Sequence, residues 1–580
     1  MKTRLIALIT LVCILGACNG DKKTGKTNKV AQGDVFYGGV FRINEVEDFR
    51  NLFPLNVTEV TSHRITNQIY EGLVKLSQKD LSILPSLAER WEINEDATSF
   101  TFYLRKGVKY HDDPAFENGI GREVTAKDFK YCFNLLCTDF GENQGFWVFK
   151  DRVIGATEYY NSTTAKAPLK DGVEGVKVID DYTLQIDLKY PFSGFLNILS
   201  TPFTWAFPQE VFEKYGVEMR SHAVGTGAFM VKNIKEGQAI VLERNPDYWD
   251  IDEFGNQLPY LDALKFTFLK EKKSELLEFK KGNLEMVYRL PLEMIKDVTS
   301  ELENAKEGNI SFELQNIAAQ STFYYGFQNQ GKIFDNKNLR LAFNYAIDRE
   351  SIVNYTLQGE GVPGNYGIVP PAYKSYESSK LVGYTFDPEK ARKYMAAAGY
   401  PNGKGFPKIT LQINSGGGDR NVQTAEVIQK MLNANLNIEV KIDVMPFAQH
   451  LDALETGKAD FWRTAWIADY PDPENFLNLL YGGHIPNTMA EKSYINSVRY
   501  VSPVFDSLFK AGLREVDLKK RNELYLMAEQ VAIDDAAIMP IFYDENTRLI
   551  QVYVKNFPIN SMELRDFSKV YIDPNLMEKK

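Results

Sequence analysis

Residues 408–444 constrain the fold more than any other stretch. Lys408-Ile-Thr-Leu-Gln-Ile-Asn414 alternates, residues 422–432 form an amphipathic run, and Ile438, Val440, Ile442 and Val444 alternate again. A period of two marks a strand, and the run between has the helical period. Strand, helix and strand in that order imply a parallel sheet with a right-handed crossover. A second helix precedes this unit, with Asp387 as N-cap, Pro388 as first helical residue and Gly399 as the stop. Ser415-Gly-Gly-Gly418 ends the first strand. No Gly-Lys-Ser/Thr follows it, so it reads as a turn rather than a phosphate loop. Loops in that place of an α/β sheet often face ligand clefts.

The earlier half also interleaves strands and helices. Residues 91–93 and 99–105 flank Asn94-Glu-Asp-Ala-Thr98, and Phe100, Phe102 and Leu104 alternate. This predicts a β-hairpin with a five-residue turn, and residues 176–179 and 182–188 predict another around Asp180-Asp181. The 580 residues suffice for three or four domain-sized units. With 67 Lys and Arg against 77 Asp and Glu, the formal net charge is −10. The chain therefore lacks the basic footprint of a nucleic-acid binder.

The first residues point to a compartment. Lys2 and Arg4 precede an apolar run over residues 5–15, too short to span a bilayer. Residues 1–17 read as a secretory signal, and Leu15-Gly-Ala-Cys18 resembles a lipobox whose Cys18 thiol takes the lipid. Residues 19–34 are polar and lack hydrophobic periodicity, which predicts a flexible tether. No other stretch approaches 18 apolar residues, so the body is expected to be soluble and lipid-anchored, on the periplasmic side of a bacterial envelope membrane. Cys132 and Cys137 remain after processing. Thr125-Ala-Lys-Asp128 resembles a capping box, and Phe129, Cys132, Phe133, Leu136 and Cys137 share one helical face. Both thiols are expected to be free and buried, because residues five apart on a helix are poorly placed to bridge.

Eight segments in order then carry a resemblance. They are Ile69-Tyr-Glu-Gly-Leu-Val74, Leu84-Pro-Ser-Leu-Ala-Glu-Arg-Trp91, Phe100-Thr-Phe-Tyr-Leu-Arg-Lys-Gly-Val-Lys-Tyr-His111 and Thr125-Ala-Lys-Asp-Phe129. Gly225-Thr-Gly-Ala-Phe229, Asn245-Pro-Asp-Tyr-Trp249, Leu339-Arg-Leu-Ala-Phe-Asn-Tyr-Ala-Ile-Asp-Arg349 and Ala468-Asp-Tyr470 complete the set. Together they resemble the extracellular solute-binding proteins of family 5, the oligopeptide- and dipeptide-binding components of ABC importers. The resemblance implies an α/β, two-lobed periplasmic-binding-protein fold (type II, cluster C) with an extra domain on the first lobe and a two-segment hinge. Domain I would comprise residues 35–69, 205–315 and 544–580, domain II 70–204, and domain III 316–543.

Phe461-Trp-Arg-Thr-Ala-Trp-Ile-Ala-Asp-Tyr-Pro-Asp-Pro473 is the most informative stretch. Apolar and aromatic side chains surround Arg463 and Asp469, and a carboxylate shielded from water attracts a cation strongly. The resemblance implies that Asp469 holds a ligand's α-ammonium and that Arg463 lies beside its carboxyl end. It implies that the backbone of residues 465–467, from Ala465 to Ile467, pairs with an extended ligand. Trp466 and Phe447 would wall side-chain pockets, and Arg420 and Asn421 would add carboxyl-end contacts. Some oligopeptide binders carry a bridged Cys two residues before the Asp. Ile467 stands there, so that disulfide is absent. The polar insertion at residues 159–170 also departs from the pattern.

The expected function is capture of short peptides by a monomeric, lipid-anchored protein that delivers them to ABC permease subunits. The same scaffold binding an oligosaccharide, haem or a metal chelate is the alternative. No cofactor and no bare metal are expected, since His63, His111, His222, His450 and His484 show no ligand spacing. A hydrolase using Asp469 and Asp472 is the third reading. It is disfavoured because residues three apart beside two prolines suit a turn and a helix cap, with Asp472 as the cap. Gly-x-Ser-x-Gly and His-Glu-x-x-His are also absent.

Overall fold

Seven strands build the largest sheet of the protein in the computed structural model. They are β1 (Met286–Tyr288), β2 (Phe312–Phe327), β3 (Val362–Pro363), β4 (Ile409–Asn414), β5 (Val440–Met445), β6 (Phe461–Ile467) and β7 (Ile538–Gln551). Their order is β1-β7-β2-β6-β4-β5, with β3 against β7. The structure describes residues 29–577 apart from 193, 305–310, 417–418 and 490. The secretory signal, Cys18 and the first part of the tether lie outside the described residues, as do Gly417 and Gly418 of the glycine turn.

The expected strand–helix–strand unit is present. β4 and β5 run parallel from Ile409↔Val440 to Asn414↔Met445, and α1 (Arg420–Leu436) connects them. Leu411 and Ile413 of β4 meet Ala425, Ile428 and Leu432 of α1 in one fully buried cluster. That apolar face makes the helix pack back onto the sheet. The helix before the unit spans Pro388–Ala397, Asp387 accepts from Lys390 N at 2.9 Å, and Gly399 follows at φ +98°.

Two smaller sheets lie in the earlier half. Phe229–Lys235, Ala239–Arg244, Ala263–Thr267 and Val40–Asn44 form one, in that order, with the last pair parallel. Ala88–Ile93, Ser99–Leu104, Thr183–Asp187 and Val176–Asp180 form the other, wholly antiparallel. Both expected hairpins are in it. Asn94 Oδ1 closes the first turn by accepting from Thr98 N and Ser99 N at 2.9 and 2.8 Å. Helix Ala126–Leu136 has its capping box, with Thr125 N donating to Asp128 Oδ2 at 2.8 Å. Cys132 and Cys137 are free and buried.

The tether ends earlier than its composition suggests. Lys29 and Val30 pair antiparallel with Tyr37 and Phe36. Gln32 N donates to Asn256 Oδ1 at 3.0 Å, and Asn256 Nδ2 returns a bond to Gln32 O at 2.9 Å. Residues 29–34 therefore belong to the folded body, held by backbone bonds that hydrophobic periodicity does not report.

The strands β2 and β7 pass from one half of the molecule to the other. Their pairing runs from Phe312↔Gln551 to Ala318↔Glu545, breaks, and resumes at Thr322↔Tyr543. The outer end is tied to the first small sheet through β1, where Glu285 N donates to Arg42 O at 2.9 Å. The inner end carries β6 and β4. A cleft opens on this frame between the two halves.

Candidate ligand-binding cleft

A cavity of about 330 Å³ occupies the cleft. Arg420, Asn421, Phe447, Arg463, Ala465, Trp466, Ile467 and Asp469 all line it. The wall opposite is built from residues around Glu45, His63 and Arg64 together with Glu563 and Arg565.

The edge of β6 is the backbone feature of the site. One edge pairs with β2 over its whole length, from Ser321↔Ile467 to Phe327↔Phe461. The other meets β4 only at Phe461 and Trp462. Ala468 N donates to Gln320 O of β2, so even-numbered residues turn their backbone groups toward β2, by strand alternation. Odd-numbered residues turn theirs away. Ala465 and Ile467 thus offer N–H and C=O groups to the cavity.

Asp469 stands just past one end of that edge. Its N donates to Asn475 Oδ1 at 3.0 Å, and Asn475 Nδ2 approaches Asp469 Oδ2 at 3.4 Å. The same Oδ1 accepts from Trp466 Nε1 at 2.8 Å, so one buried amide fixes both side chains. Asn475 lies on α2 (Glu474–Leu477). Asp472, expected to be the cap, accepts from Glu474 N at 2.9 Å through Oδ1 and pairs with Arg521 at 2.8 Å through Oδ2. Its carboxylate serves the turn. No cation pairs with Asp469 among the described residues, and burial pushes its carboxyl up to about 7 despite the Asn475 bond.

Arg463 stands at the other end. Its Nη1 donates to Asn414 Oδ1 at 3.0 Å, and its guanidinium lies 4.8 Å from the Phe323 ring centre. No carboxylate makes an ion pair with it among the described residues. Burial, with Arg289 and Arg420 nearby, pulls its pKa down to about 10. Arg420 is the same residue type in a different state. It pairs with Asp544 at 3.1 Å and Glu360 at 3.3 Å, and Asp544 also pairs with Arg289. Asn421 Nδ2 is taken by Gly416 O at 3.0 Å. Three guanidinium groups thus face two carboxylates, which leaves this end of the cleft positive and the Asp469 end anionic when ionised.

Sequence reasoning missed a closed ring on the opposite wall. Arg64 pairs with Glu45 and Glu563 at 2.8 and 2.9 Å, and Arg565 pairs with the same two at 2.5 and 2.7 Å. All four side chains are buried and their charges cancel. Glu45 and Arg565 are 520 residues apart in sequence, so no local pattern signals them. Asn475 was missed for a similar reason, being an unremarked polar residue until the turn brings it back on Asp469. Among the described residues no group of His, Cys, Asp and Glu could hold a metal ion, and no helix is long and apolar enough to cross a membrane.

Two halves around a cleft, with an open strand edge between opposite unpaired charges, define a solute-binding protein of the two-lobed periplasmic type. Residues 82–487 match the model of the bacterial extracellular solute-binding proteins, family 5. The chain belongs to that family, whose members serve ABC importers. It is 28% identical to the periplasmic oligopeptide-binding protein OppA of Escherichia coli K12 over 89% of both chains. Its fold matches the Helicobacter pylori periplasmic binding protein DppA, in complex with the peptide STSA, at TM-score 0.80 and 25% identity, covering 93% of this chain and 98% of that one. The Escherichia coli murein tripeptide binding protein MppA matches at TM-score 0.79 and 24% identity, over 92% of this chain and 98% of that one. The unliganded open form of MppA matches at only 0.61 and 23% identity, over 92% and 97%.

Proposed function

We propose that the protein captures short peptides in this cleft and delivers them to the permease of an ABC importer. The observation that carries the reading is the open edge of β6 between two unpaired charges of opposite sign. An extended peptide fits it from end to end. Its backbone pairs with Ala465 and Ile467, its ammonium meets Asp469, and its carboxylate meets Arg463. Backbone pairing gives affinity without reading side chains, and each charge-assisted hydrogen bond contributes roughly 1.5–3 kcal/mol before desolvation is counted. Arg420 and Asn421 hold the wall behind the carboxylate, while Phe447 and Trp466 bound the spaces for side chains. The neutral ring of Glu45, Arg64, Glu563 and Arg565 keeps the opposite wall rigid without competing for either terminus. The break in β2/β7 pairing near residues 318–322 and 543–545 is where the halves swing, consistent with domain I at residues 35–69, 205–315 and 544–580, domain II at 70–204 and domain III at 316–543. Cys18 carries the lipid that keeps the protein at the membrane, and the protein catalyses no reaction.

The test is denaturing extraction of purified protein followed by mass spectrometry of what is released. A ladder of short unblocked peptides is the expected result. A single oligosaccharide, porphyrin or metal chelate would overturn the peptide reading while keeping the scaffold.

A further inference from the structure

The open edge of β6 begins abruptly, and the reason is a side chain. β4 covers the edge at Phe461 and Trp462. The next carbonyl that turns outward is that of Arg463, and it faces His450 Nε2 at 2.9 Å. His450 comes from helix Phe447–Glu455 and is 1% exposed. Its Nδ1 meets Gln412 Nε2 at 2.9 Å, and that Gln412 nitrogen also lies 3.3 Å from His450 O. A carbonyl only accepts, so Gln412 turns its N–H₂ toward both atoms. Nδ1 is then the acceptor, Nε2 carries the hydrogen, and Nε2 donates to Arg463 O. Burial, with Arg463 nearby, holds the ring neutral and pulls its pKa down to about 4.

We infer that His450 is the specificity-determining residue that sets where a ligand strand must stop, and so which peptide length binds best. This rests on the peptide reading above. The ring occupies the one outward carbonyl between the β4-covered part of the edge and Ala465. A ligand running along β6 finds Ala465 and Ile467 free and nothing beyond Ala465 on that side. Because only alternate residues face a given neighbour, two free positions pair with a ligand of about three or four residues. Arg463 closes the same end with its guanidinium, so the backbone stop and the carboxylate anchor coincide. Gln412 holds the ring in place and is its positioning residue.

The experiment is titration calorimetry with unblocked alanine peptides of two to six residues. Wild type should show an optimum length and weaker binding of longer peptides. His450→Ala frees Arg463 O and should raise affinity for the peptide two residues beyond the optimum at least tenfold. His450→Gln, which keeps a donor within reach, should retain the wild-type profile. If His450→Ala does not fold, Gln412→Leu releases the ring and should move the profile in the same direction. An unchanged length profile in a folded variant lacking the donor overturns the inference while leaving the peptide reading intact. A wild type that binds no peptide of any length overturns that reading, and the inference with it.

Discussion

Arg152 Nη2 and Glu474 Oε1 meet at 2.5 Å, with side chains 4% and 1% exposed. Arg152 lies beside the four-stranded sheet of residues 88–187, and Glu474 lies on the turn that carries Asp469. The pair therefore bridges the two halves of the molecule. Lys150 Nζ donates to Gly483 O at 2.7 Å beside it, and Tyr470 OH donates to Glu474. Removing one partner of a buried pair leaves the other charge uncompensated, which costs about 3–5 kcal/mol. Arg152→Met and Glu474→Gln should each weaken peptide binding at least tenfold and raise the small-angle-scattering radius of the ligand-free protein. Arg152→Met is the sharper test, since Arg152 makes no hydrogen bond to Asn475 or Asp469. Unchanged affinity in both variants would refute the bridge as a closing contact.

Asp469→Asn should weaken peptides with a free N-terminus at least tenfold, which is about 1.4 kcal/mol. The variant keeps the shape and its Asn475 contact but loses the charge. N-acetylated peptides should bind wild type poorly and gain nothing from the variant's defect. Equal calorimetric affinity for acetylated and free peptides would remove Asp469 from the ammonium site.

Arg463→Gln should discriminate at the other terminus. Gln can still donate to Asn414, so the wall is kept while the cation is lost. Peptides with a free carboxylate should lose about tenfold, and C-terminally amidated peptides should be nearly indifferent. Arg420→Gln should behave differently, lowering the melting temperature more than affinity, because its charge already answers Asp544 and Glu360.

The Asp469 shift makes binding pH-dependent. With the carboxyl at about 7 in the empty cleft, a proton must leave before an ammonium can be held. Affinity should fall up to tenfold per unit as pH drops below about 7, by linkage. It should fall again above about 8, as the ligand amine, with a pKa of about 7.7–8.0, loses its proton. The sign for folding is opposite to that of a paired carboxylate. The folded, ligand-free protein holds a proton that the unfolded chain has released above 3.8, so stability falls between 3.8 and about 7 as pH rises. Asp469→Asn should flatten both the acid limb of binding and this slope.

Cys18→Ser should move the protein from the membrane fraction to the soluble fraction, with peptide affinity unchanged. The lipid is expected on a thiol ahead of residue 29, where the folded body begins. Membrane retention of the variant after a high-salt wash would rule out Cys18 as the anchor.

The sequence by itself determined the local elements and the place to look. Alternation in residues 409–414 and 440–445, the Asn94 turn and the Thr125–Asp128 box reappear within two residues of their expected bounds, and the helical run between the strands extends four residues further, to Leu436. Each is set by whether a few neighbouring side chains can be buried or capped, which is a short-range question. The stretch from Phe461 to Pro473 also declared itself, because it sets Arg463 and Asp469 among apolar and aromatic side chains. Tertiary structure alone decided which charges stay unpaired. Arg420 and Arg463 read alike, yet Asp544 and Glu360 reach only the first. It also decided that β4 leaves β6 after two residues, that His450 fills the gap, and that Glu45 meets Arg565. Ion pairs and strand edges depend on distances between segments hundreds of residues apart, and those distances exist only once the two halves have come together around the cleft.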